Sequence, residues 1–151
     1  MIIIADSGST KTEWIVGEPV ELSVTTKGIN PVRDTKEEIL DVVSTELMPK
    51  LFSATTCNIE DITEIHFYGA GCVSPFSQSV KEVLENLFTQ AKVHVYSDLL
   101  GAVRALCGRE EGIACILGTG SNSCLCKDGE IVRNISPLGY ILGDEGSGAV
   151  L

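Results

Sequence analysis

Two stretches of this chain share one arrangement: a short apolar run, a bend of small polar residues, and a second apolar run. The first is MIIIADSGSTKTEW at the amino terminus, and the second is ACILGTGSNSCLC over residues 114–126. Apolar runs joined by a few Gly, Ser and Thr residues are typical of β-hairpins. We therefore expect a tight antiparallel hairpin at each of these two places, which restricts the fold to architectures that contain both.

The first hairpin opens an alternating series of strands and helices. Apolar runs predict strands at residues 2–5, 12–16, 22–26, 64–68 and 92–96. Helices are predicted from Thr35, where Glu38 completes a capping box, from Pro75, and from Asp98 to Cys107. The resulting β-β-β-α-β-α-β-α order is typical of a ribonuclease H-like α/β domain.

The apolar positions also predict how these helices pack. The first helix should bury one face, formed by Ile39, Leu40, Val43 and Leu47, and Pro49 should kink or end it. The second helix should bury a face formed by Val80, Val83, Leu84, Leu87 and Phe88. The third helix is apolar nearly all round, which predicts that it is buried on every side.

The segment CGREEG is the predicted domain boundary. After it, strands are predicted at residues 113–117, 124–127 and 131–134, with a turn at Asp128–Gly129. This repeats the start of the first domain, so we expect one domain over residues 1–109 and the beginning of a second over 112–151. Because the chain ends at GDEGSGAVL, in the predicted first turn of a helix, we expect it to be the front part of a longer protein or a reduced relative of one.

Charge and cysteine content narrow the class of protein. The net charge is −10, with acidic residues spread along the chain, which disfavours nucleic acid and anionic membranes as partners. The sequence shows no basic leader and no apolar run of about 20 residues, which predicts a cytoplasmic protein.

The six cysteines have no CxxC spacing and favour reduced thiols over a metal or redox site. His66 and His94 lie in predicted strands without partners at ligand spacing, which favours structural roles.

Both bends have the composition of a phosphate-binding turn. Glycine allows close approach of a ligand and positive φ, and successive N–H groups in such a turn bind anionic oxygens. Asp6 at the rim of the first bend could hold hydrated magnesium, while Ser9, Thr10 and Thr12 supply hydroxyl groups. Either bend alone could be an ordinary hairpin turn, but the repeat favours two phosphate clamps. The Walker lysine and the third Rossmann glycine are both missing.

Three further places in the sequence are candidates for ligand contact. Asp98 is either a plain helix N-cap or a carboxylate at a strand end, ionised by the helix dipole and able to accept a proton. Asp144 and Glu145 lie between glycines, in a flexible acidic loop or a substrate loop. Asn30, in GINP, is either a turn residue or a donor to a polar ligand.

Four motifs, DSGSTKTEW, YSDLLGAVRA, LGTGSNS and GYILGDEGSG, resemble in this order the BadF/BadG/BcrA/BcrD-type ATPase family. Within it they are most similar to the N-acetylglucosamine kinase-type sugar kinases of the actin, Hsp70 and sugar-kinase superfamily. The resemblance implies two ribonuclease H-like, actin-like ATPase domains around a cleft, with ATP and Mg2+ as cofactors. It implies phosphorylation of an amino sugar, in the first place N-acetylglucosamine. It covers only the first half of a typical member.

The resemblance also implies a role for each matching position, with Asp98 as the catalytic base. The implied nucleotide-binding residues are Asp6, Gly8, Ser9, Thr10, Lys11, Gly118, Thr119, Gly120 and Ser121, with Asp6 near the metal. The implied sugar-contacting residues are Asn30, Asp98, Thr119, Gly139, Tyr140 and Asp144. Leu138 and Tyr140 stand where the family commonly has tryptophan and histidine, which leaves the identity of the sugar open.

Several alternatives remain at this point. The family's adenine-binding motif and C-terminal helix are missing, so a partner chain could supply the rest; a homodimer is a separate expectation. One alternative is the ATPase activator of a 2-hydroxyacyl-CoA dehydratase, which needs cysteines for an iron–sulfur cluster between two subunits. Others are a two-metal nuclease using Asp6, Asp98 and Asp144, and a non-catalytic relative that binds sugar or nucleotide.

Overall fold

The structure is a computed structural model that describes residues 1–17, 22–54, 58–135, 138–139 and 141–150. The chain divides into two compact units, Met1–Asp98 and Leu99–Leu151. This division comes earlier than the boundary predicted at CGREEG, because most of the third predicted helix packs in the second unit. The domain limits 1–109 and 112–151 stay predictions.

The first unit is built on a five-stranded mixed sheet. Its strands are β1 (Ile2–Ser7), β2 (Lys11–Val16), β3 (Leu22–Lys27), β4 (Glu64–Gly69) and β5 (Lys92–Ser97), in the order β3-β2-β1-β4-β5. Strands β1, β2 and β3 are antiparallel neighbours, whereas β4 and β5 run parallel to β1. The predicted hairpins and the predicted order of strands and helices along the chain are confirmed, and each strand extends slightly further than its apolar run.

The first helical segment confirms the predicted start but not the predicted end. Helix α1 (Lys36–Asp41) begins with the complete Thr35 capping box. A π-helical turn (Val42–Leu47) follows, in which the Met48 N–H donates to Val43 O, and α2 (Met48–Ala54) then continues through Pro49. Of the two outcomes predicted for Pro49, a kink or a helix end, the helix end is wrong. The widened turn lies directly before the proline, which has no N–H to donate.

The widened turn also changes which side chains are buried. Ile39, Val43 and Leu47 are buried as predicted, but Leu40 is 42% exposed. Helix α3 (Ser77–Leu87) has no such irregularity, and its predicted face is inside, with Val80, Val83, Leu84 and Phe88 buried. The regular 3.6-residue period therefore predicts the packing of α3 better than that of the first segment.

Large side chains fill the core of the first unit. The largest that are fully buried include Trp14, Phe67 and Phe88, and the Trp14 and Phe67 rings lie 5.7 Å apart in a tilted arrangement. The Trp14 ring N–H donates to the Thr26 hydroxyl at 2.9 Å, so its one polar atom is satisfied inside the core. This packing fixes the sheet from which the loops of the candidate site emerge.

The second unit contains most of helix α4 (Asp98–Leu106) and a three-stranded antiparallel sheet. The sheet consists of β6 (Gly112–Leu117), β7 (Ser121–Lys127) and β8 (Glu130–Ile135), as predicted. Helix α4 is not buried all round: Leu99, Leu100 and Val103 are buried, whereas Leu106 is 70% exposed, because only one face is covered. Among the described residues, no helix is long and apolar enough to cross a membrane.

Candidate active site

Three parallel strands of the first unit end at the same level. Ser7 of β1 is paired with Gly69 of β4, and Gly69 with Ser97 of β5. Because neighbouring strands lie about 4.8 Å apart, these three positions fall within roughly 10 Å. The chain leaves this edge as the first bend, as the turn after β4, and as Asp98 at the start of α4. The fold therefore brings candidates from three separate parts of the sequence to one edge.

The first bend, residues 8–11, is held by its carbonyl groups. Lys11 O accepts the Gly8 N–H at 2.9 Å, Thr10 O accepts the Gly28 N–H at 3.0 Å, and Ser9 O accepts Arg33 Nη2 at 3.1 Å. In the part of the chain that the structure describes, the N–H groups of Ser9 and Thr10 have no acceptor. The bend can therefore present these two donors to an anionic ligand.

The glycine that this bend requires is Gly28, which the sequence analysis missed. A β-carbon on Gly28 would overlap Gly8 O and lie 2.8 Å from Lys11 N. Gly8 itself has no positive φ, although a glycine would allow one, and a β-carbon there would meet only Lys11 O at 3.7 Å. The signal was present in KGINP, where a glycine ends the strand that pairs with the bend.

Thr12 does not donate to a ligand as predicted. Its side chain is fully buried, with the hydroxyl 2.6 Å from Ser7 Oγ and donating to Lys27 O at 3.1 Å. Ser7 Oγ also lies 3.0 Å from both the N and the O of Ile29. These two hydroxyl groups therefore bind the residues next to the bend on its buried side. Asp6, Thr10 and Lys11, in contrast, are exposed to solvent.

Asp98 is half-buried at the carboxyl edge, as the first helical residue of α4 and not as a cap before it. Its carboxylate is close enough to act on Cys72. Burial, and after it the charge of Asp98, raise the pKa of the Cys72 thiol to about 12. Cys72, in the turn after β4, is thus near Asp98, at the end of β5. A site formed at the ends of neighbouring strands requires this proximity.

Asn30 organises the segment that follows β3. Its carbonyl accepts the N–H groups of Arg33 and Asp34, both at 2.9 Å, and its own N–H donates to Asp34 Oδ2 at 2.7 Å. Its side-chain Oδ1 accepts the Val32 N–H at 3.1 Å. Through Arg33, the same segment contacts the first bend. Asn30 is therefore both a turn residue and a neighbour of the candidate phosphate loop.

The second bend lies in the second unit and is braced by the chain that follows β8. The Gly118 N–H donates to Gly120 O at 2.9 Å, and Gly118 O accepts the Gly148 N–H at 2.7 Å. Thr119 O accepts the Ala149 N–H at 3.2 Å. The motifs LGTGSNS and GDEGSG are thus joined by backbone hydrogen bonds, a contact that the sequence did not predict.

Asp144 also contacts the second bend. Its Oδ1 accepts from both the N–H and the hydroxyl of Ser121, each at 3.4 Å, and its backbone has φ of 66°. A β-carbon on Gly120 would lie 3.3 Å from Asp144 Oδ2, so a glycine there leaves room for the carboxylate. Gly139 has φ of 76°, and Tyr140 lies outside the described residues.

The two histidines have partners that the sequence did not reveal. Residues His66 and His94 are paired across β4 and β5, and their rings stack at 4.9 Å. Each Nε2 lies 3.2–3.3 Å from Glu64 Oε1. Within the described ranges, no group of three or more His, Cys, Asp or Glu side chains is arranged to hold a metal ion. The structural role predicted for both histidines stays the preferred interpretation.

Three solved structures illustrate what the chain is similar to. A proposed N-acetylglucosamine kinase from Porphyromonas gingivalis is 48% identical, with a TM-score of 0.91 over 99% of this chain and 53% of that one. A proposed N-acetylglucosamine kinase from Chromobacterium violaceum is 19% identical, with a TM-score of 0.72 over 98% and 52%. The ROK hexokinase from Thermus thermophilus is 15% identical, with a TM-score of 0.58 over 97% and 57%.

The chain spans about half the length of each of these proteins. Neither a scan against protein-family models nor a search of curated proteins gave a match. The two more distant structures support the fold alone. The chain has the mixed α/β fold of the actin-like ATPases and sugar kinases.

Proposed function

We propose that this chain carries the sugar and phosphate sites of an ATP-dependent amino-sugar kinase, in the first place one that phosphorylates N-acetylglucosamine. The observation that supports it most is the convergence of the first bend, Asn30 and Asp98 in the first unit, in a chain 48% identical to the P. gingivalis protein. The finer placement in the BadF/BadG/BcrA/BcrD-type family, the cytoplasmic location and a homodimeric state belong to this proposal.

The proposed chemistry needs little more than positioning and charge neutralisation. Asp98 accepts the proton of the sugar hydroxyl as that oxygen attacks the γ-phosphorus of ATP, and the bond to the β-phosphate oxygen breaks to leave ADP. The N–H groups of Ser9 and Thr10, which have no acceptor among the described residues, would bind phosphate oxygens, and the 118–121 bend would bind others. Thr119, Gly139, Tyr140 and Asp144 complete the proposed sugar contacts.

The residues of the first bend fit a nucleotide that binds with magnesium. Asp6 is exposed at the end of β1, beside a bend with two unused N–H donors, and carboxylate oxygen is a ligand that Mg2+ prefers. Bound there, the ion would neutralise charge on the phosphates. Lys11 and Arg33 add positive charge beside the same bend, in a chain whose net charge is −10.

Binding of the sugar is the direct test. We expect isothermal titration calorimetry of this chain to detect N-acetylglucosamine and to show weaker or no binding of glucose and glucosamine. Asp98→Ala should abolish the binding, because the carboxylate accepts a hydroxyl hydrogen bond. A folded chain that binds none of the three sugars would contradict the proposal.

Turnover tests the role of Asp98 separately. In an assay of ADP formation by a complete enzyme, Asp98→Asn should lower kcat by about 10²–10⁴-fold, the usual contribution of a general base. Asparagine keeps the size of the side chain but cannot take the proton. Sugar binding without any turnover by a complete wild-type enzyme would instead favour the non-catalytic relative.

The activator hypothesis is disfavoured by the cysteines of β7. Cys124 and Cys126 are 1% and 0% exposed, and Cys126 Sγ donates to Gly112 O at 3.2 Å. An iron–sulfur cluster that bridges two subunits needs thiolates at the surface. A brown, air-sensitive protein would revive this alternative.

A further inference from the structure

The turn after β4 contains a glycine that no sequence argument singled out. Gly71 has φ of 75°, in the left-handed region that favours glycine, within the turn Gly69–Cys72. This turn is fixed by the Ala70 N–H, which donates to Ser7 O at 2.8 Å, and by the Cys72 N–H, which donates to Gly69 O at 3.1 Å. Gly71 is therefore held rigidly at the carboxyl edge of the sheet.

Gly71 lies against the side chain of Asn30. A β-carbon on Gly71 would overlap Asn30 Oδ1, and it would lie 3.1 Å from Asn30 Cγ and 2.9 Å from Val32 Cγ2. Only a residue without a side chain leaves Asn30 in this position. The contact joins two parts of the chain that are 41 positions apart (71 minus 30).

The two neighbours of Asn30 Oδ1 also determine which end of the carboxamide, the oxygen or the nitrogen, faces each way. Oδ1 accepts the Val32 N–H on one side and is enclosed by Gly71 on the other. A carboxamide has one acceptor oxygen and one donor nitrogen. Because the oxygen is used within the loop, Nδ2 is the atom that remains for a ligand.

We propose that Gly71 is a positioning residue that holds Asn30 as a hydrogen-bond donor to the substrate. This inference rests on the proposed function for its ligand, although the positioning itself concerns only this chain. It adds a substrate requirement: a sugar oxygen that accepts from Asn30, together with a hydroxyl that donates to Asp98.

Nitrogen-15 NMR tests the positioning without any ligand. The Asn30 carboxamide signals are assigned by their loss in Asn30→Asp. In Gly71→Ala they should shift, because the new methyl group displaces Oδ1. Gly108→Ala is the matched control: Gly108 also has positive φ, at 57°, but a β-carbon there meets nothing within 4 Å. Unchanged carboxamide signals in Gly71→Ala would overturn the proposal.

The affinity for the sugar tests whether the Asn30 carboxamide acts as a hydrogen-bond donor. Gly71→Ala should weaken the binding of N-acetylglucosamine by at least tenfold, and Gly108→Ala should leave it unchanged. Asn30→Asp keeps the size and the acceptor for the Val32 N–H but cannot donate, so it should also lose at least tenfold. If Gly71→Ala does not fold, this second variant still decides whether Asn30 is a donor to the sugar, as the proposal requires. Wild-type affinity in Asn30→Asp would overturn the donor role.

Failure of the proposed function and failure of the inference about Gly71 give different results. A wild-type chain that binds no sugar contradicts the proposed function, while the carboxamide signals still decide whether Gly71 positions Asn30. A chain that binds the sugar, but whose affinity is the same in Gly71→Ala and Asn30→Asp, contradicts only the inference. Thermal unfolding of each variant shows that a loss of affinity is not a loss of the folded state.

Discussion

Cys72 is the residue in which the surroundings of Asp98 can be measured most directly. Its thiol has a pKa of about 12, against 9.0 for an unperturbed thiol, because it is buried and because the charge of Asp98 opposes a second anion. Alkylation requires the thiolate. We therefore expect iodoacetamide to leave Cys72 unmodified at pH 7–9 in the folded chain, as read by peptide mass spectrometry.

Cys115 and Asp98→Asn supply the controls for this experiment. Cys115 is exposed and should react readily under the same conditions. Removing the charge of Asp98 lowers the pKa of Cys72, so the Asp98→Asn variant should be alkylated faster at pH 10 than the wild type. Equal rates in the two chains would show that the carboxylate does not act on the thiol.

At the scale of single elements, the capping box of α1 can be tested by one substitution. Thr35→Ala removes the hydroxyl that accepts the Glu38 N–H and should lower the free energy of unfolding by about 1 kcal/mol. Trp14, the one tryptophan of the chain, is buried in the first unit, so its fluorescence during urea unfolding measures this loss.

Thr45→Ala is the control substitution with which the stability effect of Thr35→Ala is compared. The Thr45 hydroxyl donates to Asp41 O inside the same helical segment and is exposed, so its loss should change the stability by no more than about 0.5 kcal/mol. Equal effects of the two substitutions would mean that the Thr35 side chain does not stabilise the helix start.

The first bend allows a matched pair of glycine substitutions. Gly28→Ala forces a methyl group into the Gly8 carbonyl and should destabilise the first unit by about 1–3 kcal/mol, the usual effect of overpacking. Gly8→Ala should be much milder, because its β-carbon meets only Lys11 O at 3.7 Å. Urea unfolding followed by Trp14 fluorescence compares them, and equal losses would contradict the close approach at Gly28.

These elements also show what the sequence can and cannot predict. The hairpins, the Thr35 cap and the buried face of α3 were predictable, because each depends on residues close together in the chain. The roles of Thr12 and Gly28 were not, because they depend on which strand lies alongside the first bend. Leu40 was misplaced for a different reason: a regular period cannot anticipate the π-helical turn that follows it.

For the candidate site, the positions of Asp98 and the first bend were predictable from strand ends, and the contacts that other segments make around them were not. Nothing in GAGC indicates that Gly71 touches Asn30, and nothing in GDEGSG indicates that Asp144 accepts from Ser121. Both contacts join residues distant in sequence, so they follow from the packing of loops and not from any local pattern.

At the scale of the whole molecule, the two units should differ in stability. The first has a continuous core around Trp14 and Phe67, whereas the described buried apolar residues of the second are few: Leu99, Leu100, Val103, Ala114, Cys124 and Cys126. Small cores support little stability. In urea, we expect the circular dichroism signal to fall before Trp14 fluorescence changes. Coincident transitions would show that the units unfold together.

The π-helical turn at Val42–Leu47 affects how the gene for this protein can change. A π-turn closes its hydrogen bonds over one residue more than an α-helical turn, so losing one codon within it would restore a regular α-helical turn. Leu47 and Leu51, both fully buried, would then keep facing the core. In the regular helix α3 the same loss would rotate everything after it by about 100°, so a deletion is a far smaller evolutionary step in the π-helical turn than in α3.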